Sequence, residues 1–404
     1  MSETRQEKLG LSALCHVGSG TPGGAMFRRY WLAIGRAEDL KDIPQAVKVL
    51  GEELVLFRDG SGRLGLVGLH CSHRGTSLEY GDIEARGIRC PYHGWLYDIE
   101  GNCLDQPLEP KGSTFCQKVK HPSYRVQELG GLIFTYMGAK ESEPPPLPRY
   151  SALVRDDGVR LVLPPRHWDY SWFNFFENTI DSLHAFFLHK PSRADRSWEN
   201  AFWDYPGDHH IEAFRTECGL RTIVHWPGPT PDTVYVRLTS LALPTVFSLG
   251  GRGVEEEGFE RLLFVTPVDD DNFMVFSSDF VPRDKVDLIK KRDQSRYAPP
   301  TTEPVKEYDK RKHVPYRGQV WREDYVCQST QGKIGYRDEQ LATSDRGVIL
   351  LRKLLLEAIE TVQQGGMPQG IVPKEKANEM ITLDAFRLIL PQPELEQVMR
   401  QANS

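Results

Sequence analysis

Two short boxes constrain this chain more than anything else in it. Cys71-Ser72-His73 and Cys90-Pro91-Tyr92-His93 each offer one thiolate and one imidazole, with sixteen residues (74–89) between them. That donor set suits a 2Fe-2S cluster with two Cys on one iron and two His on the other, where neutral imidazoles raise the reduction potential. Cys2His2 is also a zinc set, but zinc sites usually draw like ligands from each hairpin, and here each box mixes them. Buried Cys and His that bind nothing are the remaining reading. Gly75 and Gly94 follow the two His residues and Pro91 stiffens the second loop, which lets backbone N–H groups turn inward towards cluster sulfurs.

The segments around the boxes read as short strands. Val47 to Leu50, Leu54 to Arg58 and Leu64 to Val67 are rich in Val and Leu, and Asp59-Gly60-Ser61-Gly62 supplies the turn chemistry of a hairpin. Trp95 to Ile99, Cys103 to Leu104 and Leu132 to Met137 continue the pattern, so the first part is a small all-β unit. Pro144-Pro145-Pro146-Leu147-Pro148 cannot sit in a helix interior or a central strand. It is the expected linker between a first domain over 1–143 and a second over 149–404. In the second, Trp172 to His189 has helical spacing, and Thr233 to Leu249 and Arg261 to Phe280 read as long strands. Thr343 to Val362 reads as a helix with Thr343 or Ser344 as its N-cap, so this domain is α+β.

The long second domain implies a use for the electrons that the first would carry. Its candidate is the run from Glu177 to His189, which contains Asn178, Asp181, His184 and His189. Two His residues plus a distant carboxylate make the facial triad of non-haem Fe(II) sites, with positions left open for O2 and substrate. Asp181 stands three residues before His184, on the same helix face, so its carboxylate can hold the ring nitrogen turned away from a metal. His184 and His189 would lie about 140° apart on an ideal helix. A π-type bulge, a kink or a helix end is therefore expected between them. An aromatic core helix with two incidental His residues is the plain alternative, given Phe175, Phe176, Phe186 and Phe187.

On these residues the sequence resembles the large (alpha) subunits of Rieske non-haem iron oxygenases. The likeness is to the phthalate-dioxygenase-like group, which includes phenoxybenzoate dioxygenase-like and aryl-ether O-demethylase-like members. It is carried by residues 71–75 and 90–95, by N-x-x-D-x-x-H-x4-H at Asn178, Asp181, His184 and His189, by Gly20-Thr21-Pro22-Gly23-Gly24 and Arg29-Tyr30-Trp31, and by Leu341 to Ile349. The resemblance implies an all-β Rieske domain followed by an antiparallel sheet covered by helices. It implies that Cys71, His73, Cys90 and His93 hold a Rieske 2Fe-2S cluster, and that His184, His189 and Asp345 hold a mononuclear Fe(II), with Asn178 near the iron. It further implies that Asp181 joins His184 to His93 of a neighbouring chain, within a head-to-tail homotrimer or a dimer of trimers. Asp345 would stand in the first turn of its helix, where unpaired N–H groups favour a carboxylate. Capping the helix is its plain alternative, and Asp338, Glu339, Glu323 and Asp324 compete as ligands. Thr76 and Tyr92 occupy the places where the respiratory branch carries an additional Cys pair, which points to the lower-potential branch of ferredoxins and oxygenases.

The resemblance also implies a small aromatic substrate, often an acid, that is oxidised with O2 by ring hydroxylation or O-demethylation. No Gly-rich phosphate loop occurs, so NAD(P)H would be used by a separate flavin and iron-sulfur reductase. The formal charge is -6 and no basic block could track a phosphate backbone, which argues against nucleic acid. Neither a secretory signal nor a stretch of 18 apolar residues can be read, so a cytoplasmic protein without a membrane anchor is expected. Trp172, Phe176 and Phe186 are possible pocket walls, though ordinary core packing is the better reading of each, and Arg193, Arg196, Arg215 and Arg221 are possible partners of an aromatic carboxylate, though most Arg residues are simply solvated. His70 and Asp208-His209-His210 read as structural or solvated rather than metal-binding. A Rieske electron carrier without oxygenase activity and a zinc-stapled binding module are the rival functions.

Overall fold

The computed structural model describes residues 10–139, 143–189, 208–250, 258–292 and 320–402. The N-terminal part is all-β. Strands β1 (Trp31–Arg36), β2 (Gln45–Val49), β3 (Glu52–Arg58) and β4 (Leu64–Gly68) join β9 (Ser123–Leu129) and β10 (Leu132–Tyr136) in one sheet of order β1-β10-β9-β4-β3-β2. Four shorter strands, β5 (Asp82–Glu84), β6 (Gly87–Arg89), β7 (Leu96–Tyr97) and β8 (Cys103–Asp105), form a second sheet inserted between β4 and β9. Val55, Phe57, Val67, Leu78, Ile88 and Tyr97 close a small apolar core beneath both boxes.

Beyond Pro144–Pro148 the chain builds a larger antiparallel sheet from β11 (Gly158–Trp168), β12 (His210–Arg215), β13 (Gly219–Pro227), β14 (Thr233–Ala242), β15 (Val246–Gly250), β16 (Glu260–Pro267), β17 (Phe273–Pro282) and β18 (Phe386–Pro391). The expected long strands are in fact two hairpins. Leu243-Pro244-Thr245 turns β14 into β15, and Asp269 to Asn272 turns β16 into β17. Proline lacks the N–H that a continuing ladder needs, so residues 233–249 cannot run as one strand.

The described helices are α1 (Pro22–Phe27), α2 (Ser151–Val154), α3 (Trp172–Ile180), α4 (His184–Leu188), α5 (Val286–Arg292), α6 (Val320–Ser329), α7 (Arg346–Gln363) and α8 (Leu395–Ala402). On α7, Val348, Leu351, Leu354, Leu355, Ala358, Ile359 and Val362 are all buried, the three-and-four spacing of one core-facing stripe. The stripe meets α1 and α3, where Phe27 packs edge-to-face on Trp172 at 4.9 Å and the Trp172 Nε1–H donates to Leu14 O at 3.0 Å. Residues 11–27 thus pack on the helices of the second part of the chain. A buried ion network ties α3 to α7: Glu177 receives Arg337 and Arg352, and Arg352 also reaches Glu339 at 2.8 Å. Taking one partner away would strand a buried charge, which makes the network a rigid mount for α3.

Candidate metal centres

The two boxes fold into matching loops. In the first, Cys71 N–H donates to Thr76 O and Gly75 N–H to Cys71 O; in the second, Cys90 N–H donates to Trp95 O and Gly94 N–H to Cys90 O. Gly75 (φ +77°) and Gly94 (φ +75°) lie in the left-handed region, where a side chain would be strained, so these turns need glycine. The loops bring Cys71 and Cys90 together in the interior, while the His73 and His93 rings stand 4.5 Å apart and near-perpendicular at the surface. Burial pushes the Cys90 thiol up, and N–H groups of Tyr92 and His93 that point at its sulfur work in the opposite direction. The Tyr97 hydroxyl lies 3.2 Å from Cys71 Sγ. Burial and Cys71 push that phenol up, so it stays protonated and can donate to the sulfur of a Cys71 thiolate.

One buried atom tests whether this donor set fits a cluster. His93 Nδ1 has no hydrogen-bond partner, although a buried ring nitrogen is costly to leave unpaired. An unpartnered imidazole nitrogen beside two buried sulfurs is what an iron-sulfur cluster would complete. His70 lies apart, with its ring on Gly75 O and Glu53.

The second candidate centre stands where α3 breaks. The helix stops at Ile180 and Asp181 is extended; its Oδ1 accepts from Leu183 N–H at 2.9 Å and starts the next turn. His184 opens α4 and His189 follows its last residue, so the helix end expected between the two histidines is present. Their rings are 5.3 Å apart at 82°.

Asp324, on α6, completes the group. His184, His189 and Asp324 offer ligand atoms that all lie within 4.8 Å of one another. Asp324 Oδ1 is 3.3 Å from His189 Nε2 and 3.8 Å from His184 Nε2. Ligand atoms each about 2.1 Å from one ion and at right angles are about 3.0 Å apart, so the trio needs only a small contraction to hold a metal.

The rear nitrogen of His189 is hydrogen-bonded, whereas that of His184 faces a carboxylate at ion-pair distance without a hydrogen bond. His189 Nδ1 is 2.9 Å from Glu323 Oε2 with both groups buried, and His184 Nδ1 is 3.4 Å from Asp181 Oδ2. Carboxylates behind ligating imidazoles fix the tautomer and turn Nε2 to the metal. Burial alone would raise the Asp181 carboxyl, but the His184 ring and the N–H groups of Leu183 and His184 hold it below its usual range. Asn178 lies beside them, its Nδ2 3.4 Å from Asp324 Oδ1.

Asp345 does not join this group, and the expectation that it is the third ligand is corrected. Its Oδ2 accepts from Ala342 N–H at 2.7 Å at the start of α7, which is helix capping. Among its competitors Asp324 converges with the histidines, and Glu323 stands behind one of them. Glu339 is engaged by Arg352 and Arg337.

A cleft of about 1010 Å3, counted out to bulk solvent, opens on these residues. Phe175, Phe247, Phe259, Trp321 and Phe386 give it aromatic walls. Of the two readings of Trp172, Phe176 and Phe186, core packing is the one present: they are buried between helices or against Trp226. Of the expected arginines, Arg215 pairs with Glu357 and Arg221 with Asp384, while Arg193 and Arg196 lie outside the described residues. The arginines on the cleft are Arg237, Arg261 and Arg387, which no local motif marks. His210 stacks on His225 at 4.9 Å and belongs to no described metal group.

Comparison with known proteins agrees with this arrangement. A Rieske [2Fe-2S] domain family matches residues 30–125. The chain is 33% identical to phenoxybenzoate dioxygenase subunit alpha of Ectopseudomonas oleovorans, over 89% of this chain and 87% of that one. It is 30% identical to the phthalate 4,5-dioxygenase oxygenase subunit of Pseudomonas putida, over 92% and 90%. The crystal structure of dicamba monooxygenase bound to dicamba superposes with a TM-score of 0.63 at 18% identity, covering 84% of this chain and 98% of that one.

Proposed function

The chain belongs to the terminal oxygenase (alpha) subunits of the Rieske non-haem iron oxygenases, and from that premise we propose that it oxidises a small aromatic acid with O2. The electrons come from NAD(P)H through a separate reductase. The observation that carries the reading is the meeting of His184, His189 and Asp324 at an aromatic-walled cleft. The same chain holds a second, chemically different donor set in Cys71, His73, Cys90 and His93. The named activities of the relatives, on phenoxybenzoate and phthalate, support an aromatic acid as the substrate class.

When bound, the two centres supply one-electron transfer and O2 activation. The protein supplies geometry around them. Glu323 and Asp181 orient the two imidazoles, Asp324 adds the carboxylate, and Asn178 braces Asp324 from the side. The aromatic walls exclude water from the oxidising site, which protects the chain from wasted oxidant. No described helix is long and apolar enough to cross a membrane.

We place the electron route between subunits of a homotrimer. His73 and His93 stand at the surface beside Tyr92, which is 57% exposed, so a second copy can meet them there. Asp181 of one subunit would then bridge its own His184 to His93 of the next. Two measurements test the reading. O2 uptake with a surrogate reductase should depend on an added aromatic acid, with oxygen found in the product by mass; uptake that ignores every aromatic tried would overturn it. Asp181→Ala should keep both a reducible cluster and the mononuclear iron yet stop product formation, and near-normal turnover would remove Asp181 from the route.

A further inference from the structure

From the stacking of three oxidisable rings beside the cleft, we propose that Trp321, Trp168 and Tyr325 form a relay that drains stray oxidising equivalents to the surface at Asp169. The relay is a function beyond substrate oxidation, and it rests on the reading of the cleft as the oxidation site. Trp321 and Asp324 stand three residues apart on α6 and both line the cleft. Tyr325 follows Trp321 by four residues, so the two rings share a face of α6. Trp168, at the end of β11, lies against both. Its ring centroid is 6.1 Å from that of Trp321 at 31° and 5.8 Å from that of Tyr325 at 28°. These are the separations of directly packed rings, short enough for single-electron hops. Tyr325 is half-buried, and the carboxylate of the exposed Asp169 faces its hydroxyl.

Indole and phenol give up an electron more readily than a phenyl ring does. Phe175 and Phe273 flank Trp168 at 6.2 Å and 6.4 Å, so a hole on Trp168 passes to Tyr325 rather than to them. Packing alone does not call for tryptophan at 168. Its Nε1 is buried with no hydrogen-bond partner, a cost that a phenylalanine there would not carry. The Arg166 guanidinium lies over the Trp321 ring at 5.2 Å, and a ring that has lost an electron repels that cation, so the hole moves outward. Tyr170 is 5.6 Å from Tyr325, but its hydroxyl donates to Gln328 Oε1 at 2.6 Å, an amide that is no base. The family's O2 chemistry supplies the oxidant. When no substrate consumes it, Trp321 gives it one electron, Trp168 refills Trp321, and Tyr325 refills Trp168 as its phenolic proton passes to Asp169. The oxidant is thereby reduced by one electron and Tyr325 is left as a neutral radical. A small thiol in solution then returns a hydrogen atom to Tyr325, becoming a thiyl radical, and Asp169 releases its proton to water.

The test looks for the radical itself. Hydrogen peroxide is added to the metal-loaded enzyme without an aromatic substrate, and the mixture is freeze-quenched for EPR. A tyrosyl radical should appear, and its signal should narrow in protein carrying ring-deuterated tyrosine. Tyr325→Phe keeps the packed ring, removes the O–H and should lose the signal. Peptide mass mapping of that variant should show more oxidation at Trp168, Trp321, His184 and His189. Trp168→Phe should also lose the signal, Asp169→Asn should lower it, and Tyr170→Phe should keep it. If Trp168→Phe does not fold, the Tyr325 and Asp169 variants decide. Absence of an organic radical, a signal unchanged in Tyr325→Phe, or an oxidation map unchanged in that variant would overturn the relay. Substrate-dependent O2 uptake by the same preparation would leave the oxygenase reading standing when the relay fails, whereas its absence would sink the reading itself.

Discussion

Replacing Asp324 and Asp345 in turn separates a metal ligand from a helix cap. Asp324 Oδ1 stands 3.3 Å and 3.8 Å from the two Nε2 atoms, within an ångström of the roughly 3.0 Å that neighbouring ligands of one octahedral ion require. Asp345 instead accepts one backbone hydrogen bond at the start of α7. Losing a residue that merely supports a ligand costs about 10–100-fold in metal affinity, and losing a ligand costs more. Asp324→Ala should therefore fall from about three iron atoms per chain to about two, with the cluster's visible and EPR spectra intact. Asp345→Ala should keep all of its iron and lose about 1 kcal/mol of stability, a shift of a few degrees at most in Tm. The assay is metal analysis after anaerobic reconstitution, paired with a thermal melt. If Asp345→Ala lost the mononuclear iron while Asp324→Ala kept it, the ligand assignment would be refuted.

Three other perturbations probe neighbouring parts of the argument. Tyr97→Phe removes the O–H at 3.2 Å from Cys71 Sγ, a bond that steadies the more negative reduced cluster; a loss of about 1–1.5 kcal/mol corresponds to a potential about 40–65 mV lower for one electron. Voltammetry showing no change in an intact cluster would count against that bond. Glu323→Gln should weaken mononuclear iron about 10–100-fold in chelator competition, because His189 loses the charged partner 2.9 Å behind it, and an unaltered affinity would remove Glu323 from that role. Asp269 is lowered from 3.8 to about 2, since Lys48, Asn272 and the Asp271 N–H outweigh the burial that would raise it. Its folded value lies below the unfolded one, so its contribution is complete above about pH 4 and disappears as pH falls towards 2. Asp269→Asn should thus flatten acid unfolding over that window while lowering stability at neutral pH, and superimposable pH titrations by circular dichroism would contradict this.

How far the site could be read in advance depends on how its residues are brought together. Cys71, His73, Cys90 and His93 lie on two tight loops that hold Gly75 and Gly94 in the left-handed region, so their grouping is local and legible in the spacing. His184 and His189 are equally local, and the conflict between their spacing and an ideal helix points to a bulge, a kink or a helix end, of which the structure has the helix end. The third ligand is not local. Glu323 and Asp324 are two acids among many, and only the packing of α6 against α3 turns them towards the histidines. The resemblance points to Asp345, at a helix start where a carboxylate is favoured electrostatically, and that same preference explains why it caps the helix. The long strands were overextended because apolar content was weighed above Pro244 and the Asp269 to Asn272 turn, both visible in the sequence. Arg237 and Arg387 stand at the far end of this scale, since nothing but strand register places one opposite the other.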